Sequence, residues 1–468
     1  MKSEKALSKK DIFENLSVSK ALYTMALPTI ISQLINLIYN MVDAFFIGRT
    51  GNSYMMAATS LTLTLVLLNI AFSNLFGIGG GSLIARLMGQ KKESDAKSVS
   101  SFCIYGAVGI AVLYSTMIGL FLKPILHFFG ASESTFLYAK QYTILVIVIG
   151  SLPAVLSATL AHLLRNVGCA KQASLGLSSG GILNVILDPI FMFVLLPKGY
   201  EVVGAALATL ISNIFSCIVL LVVFSKASKS TPITLNPGII HTISKKNTRE
   251  VFAVGVPSAI LTGLFDLANI CVNMLASAHN DLVLAGMGIV MKVERIPNAI
   301  NIGICQGMLP IVAYNYASKN TERMKATIRA ARIAGLGVSL VSILLLELFA
   351  KPITTFFLST NTQEAQTAIQ TIGYATLFLQ IRCLASPVQF INYHTSYCLQ
   401  AMGKGVATMV HASVRELVCY IPLMFLLDGW FQEVGLASSL PLGEGIGAVF
   451  ALFLLSHLLR KKYEQPSM

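Results

Sequence analysis

Four oxygen-bearing side chains in the first half of the chain have the types and spacing of a site for a small cation. Asn184 and Asp188 are four residues apart, so on a helix they project from one face about one turn apart. Pro189 follows and has no N–H, so it leaves a backbone carbonyl free beside that face. Asp43 and Thr209 are the other candidates. Such oxygens suit a hard cation such as Na⁺, and a pair of buried carboxylates can instead take up and release a proton.

These residues come to a similar depth if the segments that carry them cross a membrane. A rise of about 1.5 Å per residue places Asp43 roughly 6 Å, Thr209 roughly 9 Å and Asp188 roughly 12 Å from the outer ends of their spans. A carboxylate at bilayer depth is costly unless it faces a cavity or a partner. The alternative is that the carboxylates cap helix ends or bond to Ser and Asn neighbours. We predict a cation-coupling site for Na⁺ or H⁺ at Asp43, Asn184, Asp188 and Thr209.

Seven charged residues of the second half fall roughly 14 to 18 Å below the outer surface on the same helical rise. They are Asp266, Lys292, Glu294, Arg295, Arg382, Arg415 and Glu416. Because three acids face four bases, mutual pairing is the least costly arrangement for most of them. A substrate-binding role for one or two stays open. Glu444, in the last apolar segment, is interpreted as a helix-end residue.

The elements that must carry these residues are membrane-spanning helices. Of the 468 residues, 55% are hydrophobic and 12% are charged, and the mean hydropathy is +0.72. An ordinary soluble domain is about 25% charged. Since a span takes roughly 20 apolar residues, the apolar runs hold twelve transmembrane helices and almost no separate aqueous domain. The sequence predicts an all-α integral membrane protein in a lipid bilayer and excludes a soluble enzyme.

The net charge is +13, and the positions of the basic residues relative to the spans indicate the orientation in the membrane. Most of the 34 Lys and Arg lie on one side, in the terminal segments and in alternate loops. The loops of the other side hold only Arg49, Lys123, Lys140, Lys198 and Lys351. Because basic loops stay in the cytoplasm, we predict that both termini are cytoplasmic and expect no nucleic-acid partner.

An internal repeat divides the chain into two halves. Residues 79–91 match residues 307–319 at an offset of 228, and Lys123-Pro124 matches Lys351-Pro352 at the same offset. Each copy holds six spans, so both copies share one orientation, as two lobes related by an axis along the membrane normal. The predicted organisation is a cytoplasmic N-terminal segment (1–20), an N-lobe (21–224), a cytoplasmic linker (225–250), a C-lobe (251–459) and a cytoplasmic tail (460–468).

Motifs of enzymes are missing from the sequence. The glycine-rich stretch 77–82 resembles a phosphate loop but lacks its lysine, so it is interpreted as close helix packing. The eight cysteines occur singly within apolar runs and are interpreted as small buried hydrophobes. No histidine has the spacing of a metal ligand, and no nucleophile motif occurs. We expect no enzymatic activity and no cofactor, so transport would draw its energy from an H⁺ or Na⁺ gradient.

Four separated motifs resemble the multidrug and toxic compound extrusion (MATE) family of antiporters. They are residues 306–316 with Ser318-Lys319, Leu27-Pro28 with residues 39–43 and Gly48, residues 184–189, and residues 204–209. The resemblance implies two six-helix lobes that rock between inward and outward openings. It also implies export of amphipathic, often cationic organic compounds in exchange for Na⁺ or H⁺. In relatives with an N-lobe cation site, the ligands correspond to Asp43, Asn184, Asp188 and Thr209.

Another branch of the family places the cation in the C-lobe, on carboxylates of spans seven and ten. Here Asp266 lies about one position from the span-seven carboxylate, and span ten offers Gln389 and no acid. We therefore expect the N-lobe site. The resemblance also implies a monomer in the cytoplasmic membrane of a bacterium. Pro28 and Pro189 are candidate gate or hinge positions, a static kink being the alternative.

A flippase or exporter of lipid-linked or anionic substrates is the alternative function. In that hypothesis Lys292, Arg295, Arg382 and Arg415 bind phosphate groups. Neutralising the arginines would then abolish function, whereas in a cation exporter it would mostly affect folding.

Overall fold

The computed structural model describes residues 11–358 and 365–461, which are almost wholly helical and contain no β-strand. The predicted N-terminal segment and tail therefore lie partly outside the described residues. The helices of the first half are α1 (Asp11–Glu14), α2 (Val18–Arg49), α3 (Ser53–Gly89), α4 (Glu93–Leu120), α5 (Leu122–Phe128), α6 (Glu133–Thr143), α7 (Ser151–Asn166), α8 (Ala170–Pro189) and α9 (Glu201–Ala227). Those of the second half are α10 (Lys245–His279), α11 (Asp281–Ala317), α12 (Thr321–Leu348), α13 (Ala350–Leu358), α14 (Ala365–Cys383), α15 (Ser386–Ala401), α16 (Gly405–Ser413) and α17 (Ile421–Lys461).

Twelve membrane-crossing segments can be followed through the described residues. Nine helices are long and apolar enough to cross a bilayer, and α6 with α7 forms a tenth segment bent by 46°. One of the nine, Gly405–Arg460, contains a reversal at Gln432, whose φ is 54° and ψ is −140°. Past this point the chain returns along itself, since a Cβ atom on Gly443 would lie 2.9 Å from the Cα atom of Tyr420. Counting this hairpin as two spans, and α14 with α15 as one, confirms the predicted number.

Helix ends repeat at the offset that the sequence predicts. α3 and α11 both have 37 residues, and Asp281 follows Ser53 by the same 228 positions by which Ala317 follows Gly89. α4 and α12 both have 28 residues with the same offset. The residues after α3 and α11, Lys91 and Lys319, both have a positive φ, of 58° and 61°. The parallel repeat is therefore present in the backbone as well as in the sequence.

The basic residues define one end of the helix bundle. We call this end the basic face; it comprises the turns at residues 90–92, 167–169, 228–244, 318–320 and 402–404. The turns at residues 50–52, 129–132, 196–200, 280 and 432 form the opposite face. The linker at the basic face is bonded to α4, since Ser101 Oγ donates to the Asn236 carbonyl at 2.7 Å and Tyr105 Oη donates to the Leu235 carbonyl at 2.8 Å.

The two lobes are packed together in the half of the bundle nearest the basic face. A buried apolar cluster there joins Ala26 and Ala85 of the N-lobe to Val254 and Met308 of the C-lobe. The contacts extend to Asn74 Nδ2, which donates to Thr262 Oγ1 at 3.0 Å. Farther along, the buried apolar clusters no longer join the lobes: one, which includes Leu65, contains only N-lobe residues, and another, which includes Val272, contains only C-lobe residues. The lobes therefore close the bundle at the basic face and separate toward the opposite face.

Candidate cation site and charged network

The predicted N-lobe site lies where α2, α8 and α9 pack against one another. Glycines of α8 permit the close approach: a Cβ atom on Gly181 would lie 3.0 Å from the Tyr39 ring of α2. A Cβ atom on Gly180 would lie 2.7 Å from Cβ of Ser216 on α9. Small residues at helix contacts bring the neighbouring backbones close together. The polar residues of α8 can therefore reach both neighbouring helices.

Hydrogen bonds of Asn184 join α8 to α9 at this site. Its Nδ2 atom donates to Asp188 Oδ1 at 3.2 Å and to Thr209 Oγ1 at 3.4 Å. Asn184 and Asp188 are both buried. Asp43 approaches from α2, and its carboxylate interacts electrostatically with that of Asp188. The structure thus brings all four predicted residues into one cluster.

Three oxygen atoms of the cluster have no hydrogen-bond donor among the described residues. They are Asp43 Oδ1, Asn184 Oδ1 and Asp188 Oδ2. Buried polar atoms are nearly always hydrogen-bonded, so three acceptors without donors in one cluster require an explanation. A hard cation or a bound proton would satisfy them, because both are drawn to carboxylate and amide oxygens. These oxygen ligands fit the coupling ion predicted from the sequence.

Two tyrosines belong to the cluster and were missed by the sequence analysis. Tyr39 and Tyr142 each interact electrostatically with both Asp43 and Asp188. The sequence contains a signal for Tyr39, because this residue precedes Asp43 by four positions and so shares its helix face. Tyr142 had none, because it lies at the end of α6 and reaches the cluster only through the packing of that helix.

The charged residues of the C-lobe form two buried pairs. Arg382 of α14 donates two hydrogen bonds to Glu294 of α11, from Nε to Oε1 at 2.9 Å and from Nη2 to Oε2 at 3.0 Å. Arg415 holds Glu444 in the same manner, at 2.8 and 2.5 Å, and lies 3.4 Å from Glu416. Charge-assisted hydrogen bonds are roughly twice as strong as neutral ones, and the bidentate geometry of an arginine–carboxylate pair adds specificity.

The interpretation of Glu444 as a helix-end residue was wrong. Glu444 is buried within the α17 hairpin and also accepts a hydrogen bond from Asn392 Nδ2 at 2.6 Å. His411 and Ser396 extend this chain of hydrogen bonds, with His411 Nε2 3.2 Å from Asn392 Oδ1. The carboxylate that pairs with Arg415 therefore comes from the second arm of the hairpin, in α17.

The remaining members of the predicted C-lobe set are less enclosed. Lys292 and Arg295 are exposed on α11, and Asp266 of α10 interacts electrostatically with Arg295. Arg382 and Arg415 already hold carboxylates, so Lys292 and Arg295 are the cations of this set with free surface. Gln389 and Glu416 line one pocket together with the Glu294–Arg382 pair and with Glu444. The C-lobe is thus a nearly charge-balanced network, unlike the purely acidic N-lobe cluster.

Pro28 lies between two points at which α2 touches the C-lobe. A Cβ atom on Gly307 would lie 2.6 Å from Cα of Ala26, and one on Gly303 would lie 2.8 Å from Cα of Ile30. α2 remains helical through Pro28. Pro189 ends α8 immediately before the π-helical stretch Ile190–Leu195. Pro28 therefore lies at the contact between the two lobes, and Pro189 directly follows Asp188 of the cation cluster.

The glycine-rich stretch of α3 serves close packing, as predicted. A Cβ atom on Gly77 would meet the His162 ring at 2.9 Å, and one on Gly79 would lie 2.9 Å from Cα of Gly255 in the other lobe. None of the eight cysteines, all of which lie in the described ranges, forms a disulfide bond. Within the described residues, no group of three His, Cys, Asp or Glu side chains could hold a metal ion.

Comparison with known proteins places these features in one family. The family model MatE matches residues 28–190 and again residues 257–426, one match in each half of the chain. The multidrug export protein MepA of Staphylococcus haemolyticus is 32% identical over 450 residues, covering 95% of both chains. MepA of Staphylococcus saprophyticus is 30% identical over 453 residues, covering 96% of both.

Solved structures share the fold at lower identity. A crystal structure of a MATE protein in complex with MaL6 has a TM-score of 0.91 and 19% identity, covering 98% of this chain and 100% of its own. An outward-facing multidrug resistance MATE transporter has a TM-score of 0.90 and 20% identity, covering 99% and 100%. The two-lobed fold of this chain is therefore similar to theirs over nearly its whole length.

Proposed function

Because the chain belongs to the MATE family of multi-pass membrane transporters, we propose that it is a cation-coupled multidrug efflux antiporter. It exports amphipathic, often cationic organic compounds in exchange for H⁺ or Na⁺. The observation that carries the proposal is the N-lobe cluster, where Asp43 and Asp188 lie together with three oxygen atoms that lack donors. In this proposal, transport needs no cofactor and the protein catalyses no chemical reaction.

The ion and the drug exclude each other through the equilibrium between two lobe arrangements. An ion bound between the carboxylates of α2 and α8 draws these helices together, whereas a cationic drug is attracted by the same carboxylates when they are free. Each ligand therefore favours a different state, and by linkage each lowers the affinity for the other. The downhill entry of the ion can then drive the outward movement of the drug. The 17 methionines offer adaptable apolar surface for varied substrates.

The protein works as a monomer in the cytoplasmic membrane, with both termini in the cytoplasm. The basic face is then the cytoplasmic side, since it carries the loops rich in Lys and Arg. The open half of the bundle, with Asp43 and Asp188 in it, faces the outside. Its ligands are small organic molecules and the coupling ion, with the bilayer around it and no nucleic acid.

The flippase alternative is not favoured. The curated relatives are named multidrug export proteins. Of the four cations that the alternative would use, Lys292 and Arg295 are exposed, but Arg382 and Arg415 are each held by two bonds to a glutamate. Moving a phosphate into that network would break pairs whose separation leaves buried unpaired charges.

The test is efflux of a fluorescent cationic dye from proteoliposomes under an imposed Na⁺ or H⁺ gradient. We expect gradient-driven efflux with the wild type and its loss with Asp43→Asn and with Asp188→Asn, because each change removes one charge of the cluster. Asp281→Asn, which alters an exposed carboxylate at the opposite face, serves as the control. The gradient that drives efflux identifies the ion. Unimpaired efflux in both site variants would show that the coupling site lies elsewhere.

A further inference from the structure

The short helix α1 is bound to the lobe to which it does not belong. Phe13 is completely buried, and its ring stacks on Tyr314 of α11 with centroids 5.1 Å apart and planes 15° apart. The Tyr314 hydroxyl donates to Glu14 Oε1. Arg323 of α12 donates from Nε to the Phe13 carbonyl at 2.7 Å and from Nη2 to the Ile12 carbonyl at 3.1 Å. Arg323 thus satisfies carbonyls at the end of α1 that have no partner within the helix.

α1 is nevertheless joined closely to the N-lobe. Only residues 15–17 separate it from α2, the first helix of that lobe. Phe13 belongs to a buried cluster that contains Ala21, Met25 and Ala170 of the N-lobe as well as Ile311 of the C-lobe. A short connection leaves little slack, so α1 cannot follow the C-lobe if α2 moves away from it. α1 therefore bridges the two lobes at the basic face.

A second bridge crosses between the lobes on the same face. Arg86 Nη1 of α3 lies 2.7 Å from Glu250 Oε2 of α10, and the two side chains are 11% and 31% exposed. Arg86 and Tyr314 occupy equivalent positions of the repeat, 228 residues apart in the equivalent helices α3 and α11. Each of them bonds a glutamate at the start of the other lobe. The bridges are thus related by the internal symmetry, although the bonding groups differ.

We propose that these two bridges, Tyr314–Glu14 with α1 and Arg86–Glu250, form a latch that holds the basic face closed. The inference rests on the proposed alternating access, in which that face must open during each cycle. Opening it separates α3 from α10 and α2 from α11, so both bridges must break. The latch therefore sets how much of the population is open at the basic face, without touching the cation cluster. α1 and Glu250 act as gating elements of the transporter.

The test measures the lobe positions directly, by distances between spin labels in the full chain reconstituted in lipid nanodiscs. One pair, Glu93→Cys with Ala326→Cys, spans the lobes at the basic face, and another, Lys198→Cys with Trp430→Cys, spans them at the opposite face. All four positions are exposed. The two partly exposed native thiols, Cys271 and Cys419, are replaced by alanine in this background.

The latch variants are Tyr314→Phe, which keeps the ring that stacks on Phe13, and Glu250→Gln, which keeps the shape of the side chain. Tyr314→Phe removes the hydrogen bond to Glu14, and Glu250→Gln removes the negative charge that pairs with Arg86, so we expect the population open at the basic face to rise about tenfold in each. The pair at the basic face should lengthen while the opposite pair shortens. Glu322→Gln, an exposed glutamate in the first turn of α12, is the matched control and should leave both distributions unchanged.

The outcomes separate the latch from the transport mechanism. If the wild type switches between two distances on addition of ion or dye, but both variants match it, the latch is overturned. Lengthening at the basic face without a change at the opposite face indicates local fraying and also overturns it. If neither pair moves in any protein under any ion or dye, alternating access itself fails, and the latch with it.

Discussion

At the scale of single residues, the buried ion pairs of the C-lobe should matter more for stability than for ion coupling. Removing one partner of a buried pair leaves an uncompensated charge, which costs about 3–5 kcal/mol. We therefore expect Glu444→Gln to lower the thermal unfolding temperature of the purified protein strongly, because Arg415 loses its negatively charged partner and one of its two acceptor oxygens. The neighbouring Glu416→Gln removes a contact of 3.4 Å and should have a much smaller effect.

A double substitution checks the cause of this instability. Arg415→Met with Glu444→Leu removes both charges at once, so its loss of stability should be smaller than the sum of the two single losses. Equal effects for Glu444→Gln and Glu416→Gln, or strict additivity in the double variant, would contradict an unpaired charge as the cause.

Sequence reasoning succeeds for residues where local spacing decides and fails where the partner comes from a distant element. Asn184 and Asp188 share a helix face by spacing alone, and depth brings Asp43 and Thr209 to a similar level. Glu444 was misinterpreted because its partner Arg415 lies on the preceding arm of a hairpin, and the sequence does not specify which residues of the two arms face each other. Pairing across elements depends on tertiary register, which hydrophobic periodicity does not specify.

At the scale of elements, the approach of α2 to α11 depends on glycine. A methyl group on Gly307 would lie 2.6 Å from the backbone of Ala26 and could be accommodated only if the two helices moved apart. We expect Gly307→Ala to open the basic face and to reduce dye efflux. Spin-label distances at the basic face and efflux rates measure the two effects.

The same helix offers a matched control for this substitution. A Cβ atom on Gly288 would meet nothing within 4 Å. Gly288→Ala should therefore leave efflux unchanged and stabilise the helix slightly, by up to about 1 kcal/mol. If both variants behave alike, helix propensity rather than the contact between lobes accounts for the effect.

The helices were largely predictable because a membrane span requires a minimum apolar length. The repeat also lets each helix of one half be checked against its counterpart in the other. The equal lengths of α3 and α11, and of α4 and α12, follow from matching landmarks in the sequence. The docked helix α1 was not foreseen, because four residues carry no periodic pattern and its binding depends on Tyr314 and Arg323, about 300 positions away.

At the scale of the whole molecule, the direction of transport depends on which face is cytoplasmic. The closed end of the bundle is also the basic end, so the distribution of Lys and Arg predicts an opening toward the outside. The cation cluster would then be reached by ions from the side on which their concentration is higher, as an exporter driven by ion entry requires. An inverted orientation would place the same cluster toward the cytoplasm and would reverse this argument.

Accessibility of single cysteines to a membrane-impermeant maleimide tests this orientation in the full chain. Ser94→Cys lies at the basic face and Lys198→Cys at the opposite face, and both positions are exposed. In intact cells we expect labelling of Lys198→Cys alone, whereas inside-out vesicles should label Ser94→Cys. The parent protein with Cys271→Ala and Cys419→Ala gives the background. The reverse pattern would place both termini outside and would turn the latch at α1 into an external gate, so that ion entry could no longer drive export through this cluster.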